Sequence, residues 1–141
     1  MALKRGRTIA LLISPVELDH ELLQRLFAEQ GWTLLSARSL GSASILLRQK
    51  NVSVVLTERD LPAASWRDVL EIAHGAMHPP LVIVTSLHAD EQLWAEALNL
   101  GAYDVLAKPF NQAEIVRVLN SAWLRHAGSL RPIANARGSA A

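Results

Sequence analysis

The sequence predicts an α/β fold in which a five-stranded parallel sheet carries helices on both faces. Short apolar runs rich in β-branched residues alternate with longer stretches of helical period, which is typical of strands joined by crossover helices. Most of these runs are apolar without interruption, as strands buried on both faces must be. The chain has 141 residues, of which 50% are hydrophobic, so it has the length and apolar content of one domain with one core.

Three strands and two helices are predicted in the first half of the chain. The strands cover residues 8–13, 32–37 and 52–57. Ser14 and Pro15 stop the first strand, and the first helix begins at Glu17 and is terminated by Gly31. Glu17 and Asp19 place acidic side chains near the positive end of that helix dipole. The apolar positions of the first helix are Leu18, Leu22, Leu23 and Phe27, and those of a short second helix are Ala43, Ile45, Leu46 and Leu47.

Two strands, at residues 81–85 and 103–107, and three helices follow in the second half. Ser65 is the predicted N-cap of the third helix, and the fourth helix runs from about residue 90 and is closed by Gly101. Asn111 caps the last helix, with Glu114 three residues later. Its inward positions are Ile115, Val118, Leu119 and Trp123. We expect all four tryptophans to pack in the core.

Five strands and five helices in strict alternation favour the flavodoxin-like doubly wound arrangement. Right-handed crossovers leave few topologies, and the strand order 2-1-3-4-5 is the one we predict. Residues 7–125 form the predicted domain. Residues 126–141 lack periodicity and are rich in Gly, Ser, Ala and Arg, so we expect a disordered tail or linker there.

Composition excludes several classes of function. Lys and Arg number 14 against 13 Asp and Glu, and a net charge of +1 provides no strong electrostatic field to attract nucleic acid without sequence-specific contacts. The chain has no cysteine, so disulfides, thiol nucleophiles and cysteine-based metal sites are excluded. Its apolar runs are too short to span a bilayer, and its histidines lack metal-site spacing. We therefore expect a cytoplasmic domain that binds neither nucleic acid nor membrane.

The functional crevice of such a sheet lies outside the carboxyl ends of its strands. That rule selects Ser14, Pro15, Glu58, Thr85 and Lys108, which end or follow the strands. A single carboxylate among them is too few for a hard divalent cation, and no base is evident to activate a hydroxyl. We predict no metal, no cofactor and no enzymatic activity at this site.

Segments 56–62, 82–86 and 101–110 resemble the strand ends of the response-regulator receiver domain of two-component signalling. The sequence Lys-Pro-Phe at 108–110, after Gly-Ala at 101–102, is the most specific match, and the resemblance covers about residues 7–125. In that family an acidic pair after strand one binds magnesium, and an aspartate ending strand three accepts a phosphoryl group. A Thr or Ser and a Lys contact that group, and an aromatic residue three positions before the Lys reports the switch.

The sequence departs from the family pattern at the decisive positions. The acidic pair falls on Ser14 and Pro15, and the phosphoacceptor position is Glu58. The aromatic switch position is Val105, with Tyr103 two residues earlier and on the same face of the predicted strand. Thr85 and Lys108 alone match the family as they stand. Phosphoryl transfer depends on a metal and on in-line positioning, so we interpret the chain as a degenerate, non-enzymatic pseudo-receiver.

Several alternatives stay open at this point. Glu58 is a structural partner of Lys108 or a carboxylate that takes the place of a phosphoryl oxygen, and the same ion pair is compatible with both roles. A conventional receiver that uses Asp60 as acceptor is a second class of function. A flavodoxin-like binder of a nucleotide or flavin is a third, although residues 14–17 contain no glycine for a phosphate loop.

The resemblance also implies partners. Output in this family passes through the face formed by the fourth helix, fifth strand and fifth helix, so a histidine kinase or a downstream effector is expected there. A second copy of the chain is the alternative partner at that face.

Overall fold

The computed structural model describes residues 9–129. Its strands are β1 (Ile9–Ile13), β2 (Thr33–Ala37), β3 (Val54–Glu58), β4 (Asp60–Leu61), β5 (Ala64–Ser65), β6 (Leu81–Ser86) and β7 (Asp104–Ala107). Its helices are α1 (Glu17–Gln30), α2 (Leu40–Gln49), α3 (Trp66–His74), α4 (Glu91–Asn99) and α5 (Gln112–Ser129). None of these helices is long and apolar enough to cross a membrane.

Five strands form one parallel sheet in the order β2-β1-β3-β6-β7. The predicted order 2-1-3-4-5 is confirmed, because β6 and β7 are the fourth and fifth strands of this sheet. The two remaining strands, β4 and β5, form a separate antiparallel hairpin that the sequence did not predict. Strands of two residues are too short for apolar periodicity to reveal them.

Strand register aligns the carboxyl ends at one edge of the sheet. Ile13 at the end of β1 pairs with Ala37 of β2 and Thr57 of β3, and Glu58 pairs with Thr85 of β6. The residues that follow β1, β3, β6 and β7 therefore converge on one crevice, as the doubly wound topology requires.

The core consists of two layers, one on each face of the sheet. Alternate residues of β1 separate between them: Leu11 and Ile13 join the layer beneath α2, α3 and α4, whereas Ala10 and Leu12 join the layer beneath α1 and α5. Three aromatic rings pack edge to face in the second layer, those of Phe27, Trp32 and Trp123. The second layer therefore ties α1, the start of β2 and α5 together.

The predicted helix ends are confirmed where a specific cap was expected. Gly31 ends α1 in the left-handed region, with φ of 76°. Ser65 caps α3 in a reciprocal capping box with Asp68. The side chain of Asn111 accepts a hydrogen bond of 2.9 Å from the backbone N–H of Glu114 at the start of α5. Each cap satisfies backbone groups that have no partner within the helix.

The prediction that all four tryptophans pack in the core is wrong for Trp94, which is 51% exposed. The buried stripe of α4 consists of Leu93 and Ala97, one turn apart, and Trp94 lies about 100° around the helix from Leu93. Two apolar residues of α1, Leu18 and Leu22, are exposed as well.

Helix α5 continues to Ser129, beyond the end near residue 125 that the sequence indicated. Ala122, Trp123 and His126 extend its buried stripe by another turn, and His126 is only 4% exposed. A histidine among Gly, Ser and Ala gave no apolar signal, so the extension was missed. Residues 130–141 of the predicted tail lie outside the described residues.

His126 should make the fold less stable in mild acid. Burial lowers the pKa of His126 below its ordinary value of 6.5, and the nearby His78 lowers it further. A hydrogen bond with the backbone of Pro79 raises the pKa, but by less than burial lowers it. The unfolded chain therefore takes up this proton at a higher pH than the folded chain does. Stability should be fully present above pH 6.5 and fall below it, by at most about 1.4 kcal/mol per pH unit for one proton.

Urea denaturation at a series of pH values from 8 to 5 would measure this dependence. His126→Gln should flatten it, whereas His88→Gln, at an exposed histidine, should leave the slope unchanged. An identical slope in His126→Gln and the wild type would contradict the assignment.

Candidate functional site

Lys108 lies at the centre of the crevice, directly after β7. Its Nζ atom is 2.8 Å from Oδ2 of Asp19 and 2.7 Å from Oε1 of Glu58. The three side chains are almost fully buried, with exposures of 7% for Lys108, 6% for Asp19 and 14% for Glu58. One ammonium is therefore shared by two carboxylates that come from different elements, α1 and β3.

Asp19 is the site residue that the sequence reasoning missed. The expectation of a single carboxylate in the crevice is wrong, because α1 begins four residues after β1 and its first turn carries Asp19 over the carboxyl edge of the sheet. In the sequence, Asp19 is recognisable only as an acidic residue near the positive end of the helix. The available signal was its position, in the first turn of a helix that starts at the crevice.

Ser14, at one of the two acidic-pair positions, is fully buried and supports Asp19. Its hydroxyl donates a hydrogen bond of 2.8 Å to Asp19 Oδ2 and accepts one of 3.0 Å from the backbone N–H of Val16. Pro15, at the other position, is exposed. The acidic-pair positions thus hold a serine that orients a carboxylate from the next helix.

Glu58, at the end of β3, is contacted by Thr85 of the neighbouring strand β6. The Thr85 hydroxyl lies 3.1 Å from Glu58 Oε1, the same oxygen that contacts Lys108, and 3.5 Å from the backbone oxygen of Thr57. Glu58 and Thr85 face each other in the register of β3 and β6. The structure therefore brings together Glu58, Thr85 and Lys108.

His20 extends these contacts across β1 to β2. Its Nε2 lies 2.8 Å from the backbone oxygen of Ser14, and its Nδ1 lies 3.0 Å from Oγ of Ser36. A carbonyl only accepts, so Nε2 carries a proton, and in the neutral ring Nδ1 accepts from the Ser36 hydroxyl. We call the connected set the polar belt: Ser36, His20, Ser14, Asp19, Lys108, Glu58 and Thr85.

The electrostatics of the crevice keep Lys108 charged. Burial lowers the pKa of Lys108, but hydrogen bonds and attraction to Asp19 and Glu58 outweigh that effect, and the pKa is raised above its ordinary value. A lysine with a raised pKa is an ion-pair partner and not a nucleophile, because nucleophilic attack requires the neutral amine.

Val105 and Tyr103, the predicted switch positions, do not share a face. Val105 is buried in the core layer beneath α4, whereas Tyr103 packs against the opposite layer, and its hydroxyl lies 2.6 Å from Oγ of Ser121 in α5. Tyr103 precedes the first residue of β7, so the alternation of a strand does not extend to it.

Asp60 lies in the β4–β5 hairpin, two residues after Glu58 in the chain. Its side chain is 81% exposed, and its carboxylate is 3.9 Å from Nε of Arg59. Asp60 thus belongs to the surface of the hairpin.

The arrangement does not fit a magnesium ion, which the resemblance would associate with this crevice. Residues 9–129 contain no group of three or more side chains suited to holding a metal. The two carboxylates that do meet in the crevice are bridged by the Lys108 ammonium, and the Ser14 hydroxyl donates to one of them. Magnesium favours an octahedral set of oxygen ligands, and here a positive nitrogen lies between the oxygens.

Solved receiver domains superpose on the fold of this chain. The signal receiver domain of an HD domain-containing protein from Pseudomonas fluorescens Pf-5 superposes with a TM-score of 0.79 and 28% identity, covering 86% of this chain and 98% of that one. A response regulator receiver domain protein from Clostridium thermocellum superposes with a TM-score of 0.77 and 25% identity, covering 87% of this chain and 99% of that one.

A curated relative matches over a shorter stretch. The C4-dicarboxylate transport transcriptional regulatory protein DctR of Rhodobacter capsulatus is 38% identical over 63 residues, which are 45% of this chain and 32% of that protein. The match therefore spans about a third of the relative's length. Residues 15–120 match the family model of the response regulator receiver domain. The chain belongs to the receiver-domain family of two-component response regulators, whose members signal through contacts with other proteins.

Proposed function

We propose that this chain is a pseudo-receiver, which signals by protein–protein contact without accepting a phosphoryl group. One observation carries the proposal: the Lys108 ammonium binds Asp19 and Glu58 together, at 2.8 and 2.7 Å. In the family this lysine contacts the phosphoryl group, and here its contacts are made to two carboxylates of the chain itself.

Chemical requirements support the absence of phosphoryl transfer. The reaction needs a metal ion to neutralise charge on the phosphoryl oxygens and an acceptor aligned with the leaving group. Ser14 and Pro15 provide no carboxylate for the metal, and Glu58 is one methylene longer than the family's aspartate. Both requirements are lost together.

The contacts of Glu58 favour the second of its two interpretations. Its Oε1 atom lies within hydrogen-bond distance of both Lys108 Nζ and Thr85 Oγ1. These are the two groups that contact the phosphoryl group in the family, and this supports a Glu58 carboxylate that takes the place of a phosphoryl oxygen. We infer that Glu58 gives the domain a fixed, active-like bias, without the labile group that a switch requires.

The output surface we propose is the face formed by α4, β7 and α5. Trp94 on α4 is 51% exposed and Leu124 on α5 is 60% exposed. A groove of about 330 Å³ between these helices is lined by Tyr103, Asp104 and Arg117 among others. An exposed Trp beside an Arg is typical of residues that anchor protein interfaces. A histidine kinase or a downstream effector is the partner we propose, with a second copy of the chain as the alternative.

The proposed domain covers residues 7–125, and α5 extends it to Ser129. We propose that it acts in the cytoplasm and has no catalytic activity of its own.

The full chain should not respond to a phosphodonor. With acetyl phosphate and magnesium, intact-mass measurement should detect no added phosphoryl group, and beryllofluoride with magnesium should leave the NMR spectrum unchanged. A conventional receiver treated in parallel confirms that the reagents are active.

Incorporation of a phosphoryl group would contradict the proposal. If Asp60→Asn then abolished the label, the alternative of a conventional receiver that uses Asp60 would replace it. If Glu58→Gln abolished it instead, Glu58 itself would be the acceptor.

A further inference from the structure

We propose that Lys108 is the resident cation of the crevice and that Asp19 is the residue that positions it. The ammonium contacts both carboxylates of the crevice, Asp19 from α1 and Glu58 at the acceptor position. The inference rests on the proposed function, since it explains why the crevice works without a metal.

The geometry is that of a cation between two anionic ligands. Asp19 Oδ2 and Glu58 Oε1 approach the same nitrogen at 2.8 and 2.7 Å, from α1 and β3 respectively. An ammonium has three N–H donors, and two of them are used on these oxygens. The side chains of all three residues are at most 14% exposed, so little solvent screens their interaction.

Asp19 is itself held in place, which distinguishes it from a flexible surface carboxylate. The buried Ser14 hydroxyl donates to the same Oδ2 atom that contacts Lys108. The Ser14 backbone is fixed in turn, because its N–H donates to the backbone oxygen of Ala37 at 3.0 Å and its oxygen contacts His20. The Asp19 carboxylate therefore presents one oriented oxygen to the ammonium.

A covalently attached cation has a consequence that a metal ion lacks. Two carboxylates buried near one another repel unless a positive charge lies between them. Lys108 supplies that charge at any concentration of magnesium and cannot dissociate. The Lys108 ammonium therefore occupies the space between the two carboxylates, and a metal ion does not bind there.

The test is to remove the charge of Lys108 and offer a metal ion in its place. In Lys108→Met the Asp19 and Glu58 carboxylates remain without a cation. Titration with Mg²⁺, Mn²⁺ or Ca²⁺ should then raise the melting temperature of this variant saturably, by about 4 °C or more. The wild type should not respond, because its cation site is filled.

Matched variants identify the ligands. The rise should disappear in Lys108→Met combined with Asp19→Asn, and likewise in Lys108→Met combined with Glu58→Gln. Lys50→Met, at an exposed lysine, should behave as the wild type does. Two results would overturn the proposal. One is a folded Lys108→Met whose melting temperature does not change with any of the three cations, and the other is a rise in melting temperature that persists when Asp19 is replaced as well.

A second measurement applies even if Lys108→Met does not fold. The ammonium protons of Lys108 should be protected from exchange with solvent in the wild type. Asp19→Asn should shift the NMR resonances of this ammonium group and speed the exchange of its protons. An unchanged Lys108 resonance in Asp19→Asn would also overturn the proposal. These outcomes are independent of phosphoryl incorporation by the wild type, which alone decides the proposed function.

Discussion

Lys108→Met should lower the free energy of unfolding by about 3–5 kcal/mol, the range for removing one partner of a buried ion pair. The substitution keeps the apolar stem of the side chain, so the loss reports the charge. Asp19 and Glu58 are then left close together, each nearly buried and each without the cation that it shares in the wild type. The penalty has two parts, the desolvation of two carboxylates and their mutual repulsion.

Urea denaturation at neutral pH measures this loss. Glu58→Gln should cost less, about 1–3 kcal/mol, because Lys108 retains Asp19 and the amide oxygen still accepts a hydrogen bond. Lys50→Met is the matched control at an exposed lysine and should change stability by no more than about 0.5 kcal/mol. Equal stability of Lys108→Met and the wild type would mean that the ion pairs contribute nothing to the fold.

Trp123→Ala should destabilise the fold by about 3–5 kcal/mol, as large-to-small substitutions in aromatic cores do. Trp123 is 2% exposed, and its ring centroid lies 4.6 Å from that of Trp32 and 6.1 Å from that of Phe27. Removing the indole would leave a cavity between α1, β2 and α5. The rings around this cavity come from separate segments of the chain, so the cavity cannot close by a shift of one side chain.

Two further tryptophan variants separate packing from hydrogen bonding. The buried Trp123 indole N–H has no hydrogen-bond partner among the described residues, so Trp123→Phe should cost far less than Trp123→Ala. Trp94→Ala, at the half-exposed tryptophan of α4, should change the unfolding free energy by no more than about 0.5 kcal/mol. Similar losses in Trp94→Ala and Trp123→Ala, measured by chemical denaturation, would contradict the assigned core.

The sequence predicted the sheet and its strand order because both follow from patterns that act over many residues. Continuous apolar runs identify buried strands, and right-handed crossovers restrict their order. Caps such as Ser65 and Asn111 were predictable for a different reason: their side chains bond to backbone groups within three residues. Local chemistry and long periodicity were therefore both visible in the sequence.

The site was only partly predictable because its contacts join residues far apart in the chain. Glu58, Thr85 and Lys108 were found through the rule that strand ends converge. Asp19 was missed because it lies on a helix, where the rule does not apply, and its partner Lys108 is 89 residues away. The predicted shared face of Tyr103 and Val105 was wrong because β7 begins one residue after Tyr103.

The polar belt constrains how this sequence can change over evolutionary time. Each inner member contacts two neighbours, so the effect of a substitution depends on which residues already occupy the adjoining positions. Replacing Glu58 by aspartate alone would shorten the reach to Lys108 and Thr85, while Ser14 and Pro15 would still offer no metal ligand. A return to phosphoryl chemistry therefore requires several coordinated replacements, whose intermediates lose contacts of the polar belt. We therefore expect that proteins descended from this chain either retain the residues of the polar belt together or replace them together, so that positions 14, 19, 58 and 108 vary in concert.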